Sequence, residues 1–145
     1  MEQGKDWIAK NDIDIIGWAE VGIAWQKCKA GQKLYSRFKD LKWRHFKSAT
    51  SNNKQEAFSV RQYEGTATVA INECANRVTC TGADEIGLGR WSWLLLEGKH
   101  DVKVRVITVY NPSKTAASRP ATVYAQHKRY FLSKKYRHVL ELNSK

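Results

Sequence analysis

Three consecutive stretches, Arg90-Trp91-Ser92-Trp93-Leu94-Leu95-Leu96, Glu97-Gly98-Lys99-His100-Asp101 and Val102-Lys103-Val104-Arg105-Val106-Ile107-Thr108-Val109-Tyr110, are the most legible part of this 145-residue chain. The first is aromatic and apolar, a composition that fits a pleated, half-buried surface. The second is a glycine-containing turn. The third alternates Val102, Val104 and Val106 with Lys103 and Arg105, the period of two that a strand imposes on its side chains. Together they read as a β-hairpin.

Working outward, a glycine-containing loop from Thr81 to Gly89 leads into the hairpin, and Tyr63 to Ile71 alternates as a strand entered through Gly65. Further towards the N-terminus, Leu34, Phe38, Leu41 and His45, with a neighbouring row of Tyr35, Lys42 and Phe46, recur at helical spacing. The opposite face of that helix is basic, with Lys33, Arg37, Lys39, Arg44 and Lys47, and Ser48 to Gln55 reads as a turn-rich loop. Asp12 to Glu20 has the apolar centre of a buried strand, and Glu2 to Lys10 suits a short helix before it. Beyond the hairpin, Thr122 is a good N-cap for a helix running through Tyr136 to Leu140. The order helix, strand, helix, strand, strand, strand, helix implies an α/β (α+β) domain spanning residues 1–145, with helices packed on a mixed sheet.

Composition excludes several classes. With 42% hydrophobic residues and six Trp and six Tyr, the chain has too much apolar material for a disordered tail. Its longest apolar run, Trp93 to Leu96, is far short of the ~20 residues that cross a bilayer, so no membrane partner is expected. The N-terminus carries no secretory pattern, and an intracellular protein, in the nucleus if DNA is its partner, is the expectation. Cys28, Cys74 and Cys80 form no CxxC pair and are expected to be reduced, and no Cys/His spacing suits zinc. The formal charge of +11 favours nucleic acid through counterion release from phosphates. Arg37, Lys39, Lys42, Arg44, Lys128 and Arg129 are the candidate contacts, although a solvated helix face would explain such a charge run as well.

Three segments resemble the endonuclease/exonuclease/phosphatase superfamily, the deoxyribonuclease-I-like group, and most closely its retroelement-type endonuclease domains. Ile13-Asp14-Ile15-Ile16-Gly17-Trp18-Ala19-Glu20 is similar to the family's strand ending in a metal-binding glutamate. Gly65-Thr66-Ala67 is similar to its "GGTA" strand start, with Glu64 replacing the first glycine. Gly87-Leu88-Gly89-Arg90-Trp91, then Val109-Tyr110-Asn111-Pro112, then Thr122-Val123-Tyr124 follow the order of the retroelement-type members.

The resemblance implies a layered β-sandwich with flanking helices, here incomplete: the family's late "GDFN" and "SDH" strands are not in the sequence. In complete relatives it implies Mg²⁺-dependent phosphodiester hydrolysis of DNA, with Glu20 anchoring the metal and Tyr110 contacting the scissile phosphate. Little or no activity is then expected from these 145 residues, and a partner supplying the missing strands is an expectation of the same kind. A catalytically inactive, basic nucleic-acid-binding remnant is the alternative. A phosphatase-like relative acting on a small phosphoester or phosphoinositide is the third reading, against which the "GLGRW" segment argues. Trp91 and Trp93 share a strand face and are expected in the core.

Overall fold

The computed structural model describes residues 6–8, 10–39, 45–54, 64–113 and 122–133. The chain falls into two compact units, residues 1–110 and 111–145. Among the described residues of the first, six strands form two antiparallel three-stranded sheets. The first sheet has the order β1 (Ile15–Ala19), β3 (Thr66–Ile71), β2 (Phe46–Ser51), and the second has the order β4 (Val78–Ala83), β5 (Trp91–Glu97), β6 (Lys103–Val109). Two short helices, α1 (Leu34–Phe38) and α2 (Asn72–Asn76), belong to the same unit.

Strand β3 is central, and all six of its residues are buried. Alternation divides them between two cores. Ala67, Val69 and Ile71 pack with Leu34 and Phe38 of α1, and Trp18 of β1 stacks on Phe38 at 5.5 Å between ring centroids. Ala70 belongs to the other cluster, with Ala49, Leu94 and Leu96, which fills the space between the sheets. Each fully buried Val, Ile or Leu of these clusters contributes about 1.5–3 kcal/mol.

A hydroxyl network ties the sheets together on the same side of β3. Thr68 Oγ1 lies 2.8 Å from Ser92 Oγ, 2.8 Å from Thr108 Oγ1 and 3.0 Å from the Ser92 carbonyl oxygen. One proton and two lone pairs serve all three contacts. Close approach here needs Gly17, because a Cβ at that position would meet Thr108 Oγ1 at 2.5 Å.

The hairpin expected from sequence is present, with β5 and β6 in continuous register from Trp91↔Val109 to Glu97↔Lys103. Its turn closes through the Gly98 N–H donating to the Val102 carbonyl at 2.7 Å. The strand expected from Asp12 to Glu20 is β1, and residues 6–8 and 10 are helical.

Four expectations are corrected. In place of one mixed sheet, the described strands pair only antiparallel, in two sheets. The helix expected from Leu34 to Lys47 ends at Phe38, and Phe46 to Ser51, expected as helix end and loop, is strand β2, paired throughout with β3. Pairing with β3 satisfies the backbone of a segment whose Ser and Ala residues give no strand signal of their own. Strand β4 and helix α2, unread in the sequence, occupy Asn72 to Ala83. Finally, Ser92, Leu94 and Leu96 form the buried face of β5, and Trp91 and Trp93 take the outer, half-buried face. Trp93 lies across Gly82 there, under the guanidinium of Arg105 at 4.6 Å from its ring centroid.

In the second unit, α3 (Val123–Ser133) starts where expected: the Thr122 hydroxyl accepts from the Ala125 N–H at 3.3 Å, an N-cap bond. The remainder of the helix expected through Leu140 lies outside the described residues.

The hydroxyl network yields a direct expectation. Thr68→Val leaves Ser92 and Thr108 with a buried hydroxyl short of a partner, which destabilises by about 1–3 kcal/mol, read as a lower urea midpoint. Adding Ser92→Ala and Thr108→Val removes the stranded groups, and the midpoint recovers in part.

Candidate functional site

At the Ala19 end of the sandwich, four loops converge, and backbone geometry sets where their side chains go. Ala19 stands opposite Thr66, but the next ladder bonds run from the Val21 N–H to the Gly65 carbonyl at 3.1 Å and from the Gly22 N–H to the Glu64 carbonyl at 2.9 Å. The pairing therefore slips by one residue at Glu20, which adopts a left-handed backbone (φ 55°). That is a β-bulge, a device that re-aims one side chain at a strand end. Glu64 is also left-handed (φ 68°), and Gly65 beside it has φ 103°, with no room for a Cβ against the Ser51 carbonyl.

The second sheet contributes Tyr110, directly after β6, whose N–H donates to the Arg90 carbonyl at 2.6 Å. The phenol donates a hydrogen bond to the Glu20 carboxylate. Burial first, then that hydrogen bond and the negative charges of Glu20 and Glu64, push the Tyr110 hydroxyl far above its ordinary pKa. Tyr110 is thus a neutral donor at any physiological pH. Glu20 and Tyr110, singled out separately in the sequence, meet here across two different sheets.

Four further residues shape the site. The buried Glu64 accepts from Asn53 Nδ2 at 3.1 Å. Asp84, also buried, accepts from the Ile86 and Arg90 N–H groups, each at 3.0 Å, and so fixes the loop that carries Arg90 to Tyr110. Gly89 (φ 75°) lets that loop close on residues 52 and 53, where a Cβ would meet the Asn53 nitrogen at 2.7 Å. Sequence reading gave no role to Glu64, Asn53 or Asp84. Glu64 was visible only as the residue in place of a glycine, Asn53 lay in a stretch read as loop, and Asp84 gave the ordinary signal of an Asp in a glycine-rich turn.

Thr66 Oγ1 is buried and has no hydrogen-bond partner. By alternation it faces the same side as Thr68, between the sheets and towards this end. Glu20, Glu64 and the Thr66 hydroxyl bring oxygen atoms to this end of the sandwich, the donor type that hard divalent cations take, usually with retained waters. No group of three or more His, Cys, Asp or Glu is gathered for a metal among the described residues.

Arg37 shares with Glu20 the wall of a hollow of about 340 Å³, its Nε donating to the Gln32 carbonyl at 2.9 Å. Lys39 is exposed beyond α1, and Lys128 and Arg129 are exposed on α3. Lys42 and Arg44 lie outside the described residues. Cys28, Cys74 and Cys80 are all free thiols, and burial, with Asp14 nearby, raises the pKa of Cys74.

No helix among the described residues is long and apolar enough to cross a membrane. The chain matches no protein-family model, no curated protein and no solved structure.

The Tyr110–Glu20 contact has a spectroscopic consequence. In an alkaline titration followed at tyrosinate absorbance, one tyrosine ionises well above the ordinary value of 10.0, and Glu20→Gln brings it down part of the way. Because the folded-state value is raised, the stabilisation is complete below the unfolded value and is lost as pH climbs above it. Tyr110→Phe therefore flattens the fall in stability above that pH.

Proposed function

We propose that this chain recognises phosphodiesters as a domain of the endonuclease/exonuclease/phosphatase type, with Glu20 anchoring a divalent cation, Mg²⁺ by preference, and Tyr110 donating to a phosphate oxygen. The observation that carries this reading is that these two side chains, ninety positions apart in sequence, come together from the ends of strands in different sheets, where the bulge at Glu20 faces the end of β6. A deoxyribonuclease-I-like sandwich with an outer helical layer is the fold this reading entails, and two stacked antiparallel sheets with α1 packed on one of them support it.

In this arrangement the bound cation would polarise the phosphate and offset charge on the leaving oxygen. Tyr110, held neutral, supplies a proton-bearing donor that can turn from Glu20 to a phosphate oxygen once the carboxylate is engaged. Glu64, fixed by Asn53, adds negative charge beside the anchor. Among the described residues of this site none takes the roles of water-activating Asp or leaving-group His/Asp, so the proposal is one of phosphodiester recognition.

The alternative, a basic nucleic-acid binder without a metal, is favoured by the charge of +11 alone. Thermal unfolding separates the two. Under the proposal, 5–10 mM Mg²⁺, roughly tenfold or more above the weak affinity of a site with few carboxylates, raises the midpoint. The rise disappears in Glu20→Gln and persists in Tyr110→Phe. A midpoint indifferent to Mg²⁺, with oligonucleotide binding intact in Glu20→Gln, removes the metal from the proposal.

A further inference from the structure

We infer that a single strand of nucleic acid lies along the outer side of β2, in a basic, aromatic groove that leads from the far end of the sandwich to the Glu20–Tyr110 end. The inference rests on the nucleic-acid part of the proposed function and not on its metal.

The groove, of about 790 Å³, lies between β2 and the segment of residues 25–35. Lys33, Lys47 and Lys54, all exposed, line it together with His45, and among the described residues no Asp or Glu does. Three lysines and no described carboxylate on the wall of one concavity favour a polyanion there. Its path follows the strand: His45 precedes β2, Lys47 lies within it, and Lys54 follows it. At a rise of about 3.3 Å per residue, β2 itself covers roughly 17 Å, with Lys47 near its start and Lys54 beyond its end. The Lys54 end adjoins Asn53, which holds Glu64 in the candidate site.

Charge alone would fit any polyanion, and two aromatic features narrow the ligand. Tyr35 is 54% exposed, braced edge-to-face by Phe46 at 5.3 Å between centroids, and so presents ring surface to the groove at little entropic loss. A base stacking on such a ring gains about 1–3 kcal/mol, whatever its identity. Trp25 lines the groove as well and adds aromatic surface to its wall. A duplex would hide its bases from Tyr35 and is too stiff to settle along a concave wall, whereas a single strand offers both bases and backbone.

The test is binding of a fluorescent oligothymidylate of about ten nucleotides, within the usual site sizes of single-strand binders, in EDTA so that no metal contributes. Lys33→Ala, Lys47→Ala and Lys54→Ala combined should weaken binding at least about tenfold and reduce the salt slope by about 2, since each phosphate that a lysine neutralises on a single strand adds ~0.7 to that slope. Tyr35→Ala alone should weaken it about fivefold or more. A control set, Arg77→Ala, Lys99→Ala and Lys103→Ala, removes the same charge from exposed positions off the groove and should change binding less than about threefold. Unchanged circular dichroism and melting midpoints establish that each variant is folded.

Equal weakening in both lysine sets overturns the groove in favour of diffuse attraction. No effect of Tyr35→Ala, with inorganic polyphosphate competing as well as the oligonucleotide, overturns the nucleic-acid strand in favour of a plain anion patch. Because the assay contains no metal, a failed Mg²⁺ shift counts against Glu20 as anchor and leaves this result standing, and failure here leaves the Mg²⁺ result standing.

Discussion

Thr68 is the contact on which the sandwich depends. It sits in the strand that both cores share, and its single hydroxyl faces Ser92 and Thr108 across the gap between the sheets. An apolar side chain there would pack, but it would not fix the sheets' relative position. Hydrogen bonds of defined length do, and this one fixes β3 against β5 and β6 together. Gly17 on β1 gives way to the same cluster, so the neighbouring edge strand is adjusted to it as well.

That alignment places the strand ends. Once Thr68 meets Ser92 and Thr108, residues two positions towards the Ala19 end fall into line, with Thr66 on one sheet and Arg90 and Tyr110 on the other. Glu20 reaches Tyr110 only because the pairing slips by one residue there and its backbone turns left-handed. Strained backbone at Glu20 and Glu64 is held by ladder bonds from Val21 and Gly22, and Asp84 and Gly89 hold the facing loop. Energy that a relaxed loop would not store is placed where chemistry is proposed, a common feature of functional sites.

Legibility varied with the physical origin of each element. The β5–β6 hairpin was readable because its side chains alternate and its turn contains glycine, both local properties. Strand β2 was not, because Ser48, Ala49, Thr50 and Ser51 have turn-like composition and become a strand only through pairing with β3. The helical spacing from Leu34 onward was real as far as Phe38, where Leu34 and Phe38 are buried against the sheet, and it misled beyond that point. In β5 the aromatic face looked like the core, yet Ser92 lies inward because its hydroxyl has partners inside. At the site, Glu20 and Tyr110 stood out in sequence, while Glu64 and Asn53 acquired their place only when β2 and β3 brought them together.

The sequence by itself determined the class, a mixed α/β chain with a basic surface, a hairpin and a capped final helix, since these follow from composition, period and capping, all of which act over a few residues. Only the tertiary structure decided that six strands make two antiparallel sheets, that β2 exists, that Glu20 touches Tyr110, and that three lysines line one groove. Those outcomes rest on pairing and burial between residues far apart along the chain, and no local preference encodes them.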